Sequence, residues 1–216
     1  MSAPRFEIDI DKIHPNARTL VERLAARGIS VTGVTQATMG SPEIPYTLFS
    51  AGVNTLGDSR IENIETMHRA GAAATMSLIR SPMLSQVERV ATYADISFNS
   101  ELEVMRRLSA AAQKVKRRHG VVLMVELGDL REGIMPDDLE QTVRELLHLP
   151  NLVLKGIGTN LACRNGVTPD DRNMAELSAL ADSIEAKFDL ILDIVSGGNS
   201  ANLDWVLGSS DIGRIN

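Results

Sequence analysis

Short apolar runs alternate with longer amphipathic stretches along this chain. The runs are Val31–Thr35, Thr55–Leu56, Met76–Ile79, Ile96–Phe98, Val121–Leu127, Gly156–Thr159 and Leu190–Val195. They are rich in Val, Ile and Leu and do not alternate with polar residues. That suits strands buried on both faces of a parallel sheet. Between them, apolar residues recur at helical spacing: Leu20, Val21, Leu24 and Ala25; Leu102, Met105, Leu108 and Ala112; Leu139, Val143, Leu146 and Leu147. Helix starts are expected at Ser41-Pro42-Glu43, Ser81-Pro82, Thr168-Pro169-Asp170-Asp171 and a capping box at Ser100-Glu101-Leu102-Glu103. There a hydroxyl fills an orphan amide, proline has no amide to lose, and acids favour the positive helix end. Helix ends are expected at Gly28, Gly52, Gly71 and Gly120. The order is one helix, then repeated strand–helix units with short connections. This implies a parallel sheet, either doubly wound or closed into a barrel. No repeat or low-complexity linker interrupts it, so residues 1–216 read as one domain.

In either architecture ligands sit at the carboxyl ends of the strands. The loops there are therefore the candidates. They include Thr35-Gln36 after the first run, Gly57-Asp58 through Asn63 after the second, Glu126 through Gly133 after the fifth, and Thr159 through Cys163 after the sixth. The seventh is followed by Ser196-Gly197-Gly198-Asn199-Ser200. Two glycines allow close backbone approach, and amides plus hydroxyls at a helix start suit an anion such as phosphate. A tight turn capped by Ser200 would carry the same residues.

Composition narrows the classes. With 22 basic and 28 acidic side chains the net charge is -6, which opposes a general nucleic-acid binder. The basic run Lys114–Gly120 reads as a solvated helix C-terminus. Cys163 is the single cysteine, so no intrachain disulfide forms; it is expected to be structural. His14, His68, His119 and His148 lack metal-like spacing, so no metal is expected, and solvated or capping roles are assigned to them. Met105 and Met124 fit a core stripe. No apolar stretch is long enough to span a membrane, and the N-terminus turns acidic where a leader would turn apolar. A cytoplasmic location follows as the expectation.

Several loops, in order, resemble the alanine racemase N-terminal-domain superfamily, and most of all its ornithine-racemase-like members. They are Gly33-Val34-Thr35, Ala51-Gly52-Val53, Leu56-Gly57-Asp58-Ser59-Arg60-Ile61-Glu62-Asn63, Leu127-Gly128-Asp129-Leu130-Arg131-Glu132-Gly133, Gly158-Thr159-Asn160-Leu161 and Ser196-Gly197-Gly198-Asn199-Ser200. The resemblance implies a TIM-type (β/α)8 barrel with pyridoxal 5′-phosphate (PLP) at its mouth. By it, Arg131 lies near the cofactor's phenolic oxygen or the substrate carboxylate. Ser196, Gly197, Gly198, Asn199 and Ser200 lie at the phosphate, and Asn160 and Asp58 face the mouth. The residues alone leave other roles open: Arg131 could pair with Glu126 or Glu132, and Asp58 could cap the next helix.

Two departures shape the functional expectation. The family's Schiff-base lysine falls at Gln36, a carboxamide that is neither nucleophilic nor basic. Lys12 precedes the first helix in this reading, Lys114 and Lys116 lie near a helix end, Lys187 lies in the last long helix, and Lys155 starts the sixth strand at the wrong end of the barrel. The chain also reads as seven strands, truncated before the eighth, which leaves two unpaired edges. The expectation is a racemase-like protein impaired in racemisation, binding PLP or another phosphate ligand non-covalently. Its rivals are an active racemase using a different base and a non-catalytic scaffold. The partners are a small amino acid or phosphate-bearing ligand and, across the open edges, a homo-oligomer or strand-completing partner.

Overall fold

The computed structural model describes residues 7–163 and 166–216. Residues 1–6 lie outside them, while the acids Glu7, Asp9 and Asp11 of the N-terminal segment lie within. All seven expected strands form: β1 (Thr32–Val34), β2 (Thr55–Asp58), β3 (Thr75–Leu78), β4 (Ile96–Asn99), β5 (His119–Met124), β6 (Leu152–Gly158) and β7 (Ile194–Ser196). They join one sheet in sequence order, each parallel to the next. Helix α1 (Ile10–Ala25) precedes β1. The crossovers are α2 (Glu43–Ser50), α3 (Ile61–Arg69), α4 (Val87–Tyr93), α5 (Leu102–Lys114), α6 (Pro136–Leu147) and α7 (Asp171–Phe188), and a short α8 (Leu203–Val206) follows β7.

Most of the core lies between the sheet and these helices. Leu56, Met76 and Leu78 pack with Ile64, Met67 and Val90. Val121, Leu123 and Val195 pack with Met105, Val143 and Leu177. The other sheet face is concave: Ile96, Val122 and Met124 form a small cluster that takes in Phe98 and, from the far edge, Ile194. The outer layer also meets itself. Arg27, just after α1, donates to the carbonyls of Gly208 and Ser210 at 2.5 Å each, and Ile29 packs on the cluster beneath β5–β7. The result is a curled half-barrel of the TIM type with β1 and β7 as its edges. Along β7, the Asn216 amide donates to the Val195 carbonyl at 3.2 Å, and Asn216 Oδ1 accepts from the Val195 amide at 2.9 Å.

Local chemistry departs from the sequence reading in several places. Gly28, Gly52 and Gly71 do follow helices at positive φ. Gly120 does not: it lies within β5, and the left-handed residue after α5 is Lys116, at φ 55°. No α-helix starts at Ser81-Pro82; Ser81 Oγ instead accepts the Ser100 amide at 3.2 Å. The Ser100 box is therefore not made, and Glu101 is the N-cap without a side-chain bond. At α2, Pro42 sits at the N-cap and Ser41 bonds Glu43. At α7, Asp170 rather than Thr168 caps, in a reciprocal box with Asn173. Lys12 lies inside α1, whose N-cap is Asp9. Leu147 is exposed while Leu139, Val143 and Leu146 are buried. Strand β6 begins four residues earlier than expected, because Leu152, Val153 and Leu154 pair with His119, Gly120 and Val121 of β5; a register shift opposite Val121 and Val122 then leaves Lys155 as the extra residue.

The packing of β6 on β7 depends on one missing side chain. A Cβ on Gly156 would stand 1.8 Å from the Ile194 carbonyl oxygen, a backbone atom that cannot turn aside. Gly156→Ala should therefore push β7 off the sheet and destabilise the protein by about 3 kcal/mol, the upper end of overpacking costs. Urea unfolding measures it; a loss below 1 kcal/mol, the lower end of that range, would show that the two strands yield.

Candidate functional site

The sequence-predicted residues all lie at the carboxyl end of the sheet, in two groups. The first stands on β1 and β2. Asp58 closes β2 and is fully buried. It accepts from Thr35 Oγ1 at 2.9 Å, from the Arg60 amide at 2.8 Å, and from Asn63 Nδ2 at 3.1 Å to each oxygen. Asp58 thus bonds the Arg60 amide at the start of α3 and ties the end of β1 to it. Gln36 opens the turn Gln36–Thr38 directly after Thr35 and is exposed. That turn rests on α3: a Cβ on Gly40 would meet the Asn63 carbonyl at 2.9 Å.

The second group stands on β5, β6 and β7, and here the loops interlock. Arg131 Nη1 donates to Cys163 Sγ at 2.7 Å and Nη2 to Glu132 at 2.8 Å. Of its two expected carboxylate partners, Arg131 takes Glu132. Asp129 is buried, and its Oδ1 accepts the Cys163 amide at 3.3 Å. Cys163 itself is exposed at the mouth, so it is not a buried packing residue. Asn199 Nδ2 donates to Asn160 Oδ1 at 2.8 Å and to the Leu161 carbonyl at 2.9 Å, while its Oδ1 accepts the Ala201 amide at 2.8 Å.

The turn Ser196–Ser200 was the main anion candidate. Gly198 takes φ 107°, and a Cβ there would stand 2.9 Å from the Thr159 carbonyl. Its glycine is therefore required by the approach of the β6 loop. Gly197 is closed over by Asn202, which donates to its carbonyl. With the Asn199 side chain holding the turn, Gly198 and Ser200 are exposed, which leaves the Ser200 hydroxyl and the amides of Gly198 and Ser200 as candidate donors. These take no hydrogen-bond partner among the described residues. A hydroxyl and two amides on a glycine turn fit a phosphate oxygen set.

The lysines are elsewhere. Lys155 Nζ pairs with Asp193, immediately before β7 and so toward the end opposite the mouth, at 2.7 Å. Lys114 pairs with Glu88 at 2.8 Å and Lys187 with Glu140. Among the described residues, no three His, Cys, Asp or Glu side chains gather as a metal site, and no helix is long and apolar enough to cross a membrane. His148 caps α6 through the Arg144 carbonyl, as expected. His119 does not fit its expected role: it is 1% exposed inside the sheet–helix layer.

Sequence reasoning passed over Thr35, Asn63, Glu126 and Asp129 as site residues, although each lies in a loop it had marked. Thr35, a polar residue at the end of an apolar strand run, carried an available signal; Asn63 and Asp129, inside their loops, carried none.

The family described as alanine racemase, N-terminal domain, matches residues 8–215. An ornithine racemase of Acetoanaerobium sticklandii is 40% identical over 202 residues, covering 93% of this chain and 56% of the relative. A lysine racemase of Thermotoga maritima is 34% identical over 203 residues, covering 94% and 56%. The chain thus spans about half the length of these curated relatives. The structure of PipY from Synechococcus elongatus PCC7942 with PLP bound superposes with a TM-score of 0.69 at 17% identity, covering 88% of this chain and 95% of that one.

Proposed function

Because this chain belongs to the alanine racemase N-terminal-domain family, we propose that it is a racemase-like barrel that holds PLP non-covalently and is impaired in racemisation. The observation that carries the reading is the exposed β7 turn, whose hydroxyl and amides, unpartnered among the described residues, suit a phosphate, while Gln36 and no lysine stands directly after Thr35 at the end of β1. When bound, PLP supplies an electron-withdrawing ring that acidifies the α-carbon of an attached amino acid.

The chain's own residues then take these roles. Ser200 and the amides of Gly198 and Ser200 bind the phosphate. Ser196, Gly197, Asn199 and Asn160 keep that turn in shape. Arg131, a permanently charged planar donor, orients the ring's phenolic oxygen or an amino-acid carboxylate. Asp58 fixes the turn that bears Gln36 through Thr35 and Asn63. Gln36 donates and accepts hydrogen bonds there but neither attacks an aldehyde nor removes a proton at neutral pH. The ligand is a small amino acid or a phosphate-bearing compound, and a second copy or a strand-completing partner pairs the edges of β1 and β7. Residues 1–216 act as one metal-free barrel domain in the cytoplasm.

Calorimetric titration with PLP, run beside a chiral assay on alanine, ornithine, lysine and serine, tests this. The expected result is reversible PLP binding that inorganic phosphate competes away, weakened by about tenfold in Ser200→Ala for the loss of one charge-assisted hydrogen bond, with no racemisation. Racemisation that Arg131→Ala abolishes would instead make the protein an active enzyme with another base. Absence of PLP and phosphate binding would leave a scaffold.

A further inference from the structure

The loop that carries Arg131 is wound around a single carboxylate. Glu126 follows β5 and is nine-tenths buried. Its Oε1 accepts the amides of Gly128 at 2.5 Å and Leu130 at 3.0 Å. The two ends of the loop are clasped beneath it: the Glu126 amide donates to the Ile134 carbonyl at 2.9 Å, and the Ile134 amide to the Met124 carbonyl at 2.8 Å. At the return, Gly133 has φ 153°, and a Cβ there would lie 2.6 Å from the Glu126 nitrogen. Between these points Leu130 holds φ 52° with 66% of its surface exposed. A branched side chain in left-handed backbone does not hold that shape unaided. Successive amides turned onto one carboxylate form a nest, and a charged acceptor bonds them more strongly than a neutral one. Arg131 is the next residue, and its guanidinium reaches Cys163 on the β6 loop.

We propose that Glu126 is a positioning residue, whose carboxylate gathers the Gly128 and Leu130 amides and thereby sets the guanidinium of Arg131 at the barrel mouth. It touches no ligand itself; it acts through Arg131. The inference rests on the reading of Arg131 as a ligand-orienting group.

A double-mutant cycle on the full chain separates this role from general stability, with PLP affinity by calorimetry as one readout and amide exchange at Gly128 and Leu130 as the other. Arg131→Ala and Glu126→Ala should each weaken PLP binding by about tenfold, one charge-assisted hydrogen bond's worth. The double variant should lose no more than about twofold beyond Arg131→Ala, because groups acting as one unit do not add. Glu126→Gln keeps an acceptor oxygen and should restore binding to within about threefold of wild type. Glu126→Asp keeps the charge but shortens the reach, so it should show the loss should the alanine variant not fold. Exchange at Gly128 and Leu130 should accelerate in Glu126→Ala and stay slow in Arg131→Ala. Additive losses, or Glu126→Ala and Glu126→Asp binding PLP as wild type, would overturn the proposal. If Arg131→Ala alone binds PLP as wild type while exchange accelerates only in Glu126→Ala, the reading of Arg131 as a group that holds the PLP ring fails and the loop-holding role of Glu126 stands.

Discussion

Gln36→Lys should retain PLP covalently, whereas the unsubstituted protein is proposed to bind it reversibly. The substituted residue opens the turn after β1, at the carboxyl end of the sheet, on a loop fixed by the Thr35–Asp58–Asn63 bonds. It is exposed, so a longer, charged side chain enters without displacing core. An amine there gains two abilities that a carboxamide lacks: condensation with an aldehyde, and proton transfer near neutral pH. Gel-filtered Gln36→Lys protein treated with PLP and borohydride should carry a pyridoxyl label on residue 36 by mass spectrometry. If Arg131 and the β7 turn are otherwise sound, racemisation should rise by about 10²-fold or more, the usual contribution of a positioned acid–base group. A variant that neither retains PLP nor gains activity would mean that residue 36 does not face the ligand.

Acid should loosen the fold through His119. His119 Nε2 and Ser97 Oγ stand 2.8 Å apart, and Asn99 Nδ2 donates to the same hydroxyl at 2.9 Å. The Ser97 hydroxyl can then donate its own proton to an unprotonated Nε2, an arrangement that suits the neutral ring. Burial pushes His119 down from 6.5 to about 4; the Ala94 carbonyl and Asp95 oppose that and Arg117 adds to it. The pKa is lowered in the folded state, so the contribution to stability is full above pH 6.5 and is lost as pH falls toward 4. Linkage gives about 2 kcal/mol lost by pH 5 and about 3 kcal/mol by pH 4. Urea unfolding at pH 7.5 and pH 5 reads the difference. His119→Gln should be less stable at pH 7.5 but should show a shallower slope between the two. Equal slopes in wild type and variant would place the acid sensitivity in other groups.

Much of this architecture was visible in the residues. Runs of Val, Ile and Leu without alternation gave strands whose positions hold to within a few residues; burial on both faces holds along all of β5, whereas edge strand β1 leaves Thr32 and Val34 exposed. The helix starts were less legible. A Ser-Pro pair resembles a cap whether it meets a helix or, as at Ser81, the neighbouring loop, and only the tertiary placement of Ser100 distinguishes them. The register bulge that absorbs Lys155 has no local mark, since it is set by pairing with β5. His119 was misjudged for a similar reason: it ends a basic, polar-looking run, yet Ser97 on the adjacent strand makes a buried site for it. At the mouth, the glycine turn and Arg131 could be found by residue type and order. Asp58 could be found the same way, as the acid that closes a strand and precedes a helix; the role of Glu126 could not, because its partners are backbone amides, which carry no sequence signature.

The account turns on whether any amine of the natural protein reaches the aldehyde of PLP. Borohydride reduction of the unmodified protein saturated with PLP, followed by peptide mass spectrometry, asks this directly. The prediction is reversible binding with no pyridoxyl group left on any lysine at stoichiometric yield. A stoichiometric pyridoxyl-lysine, at Lys155 or elsewhere, would contradict it.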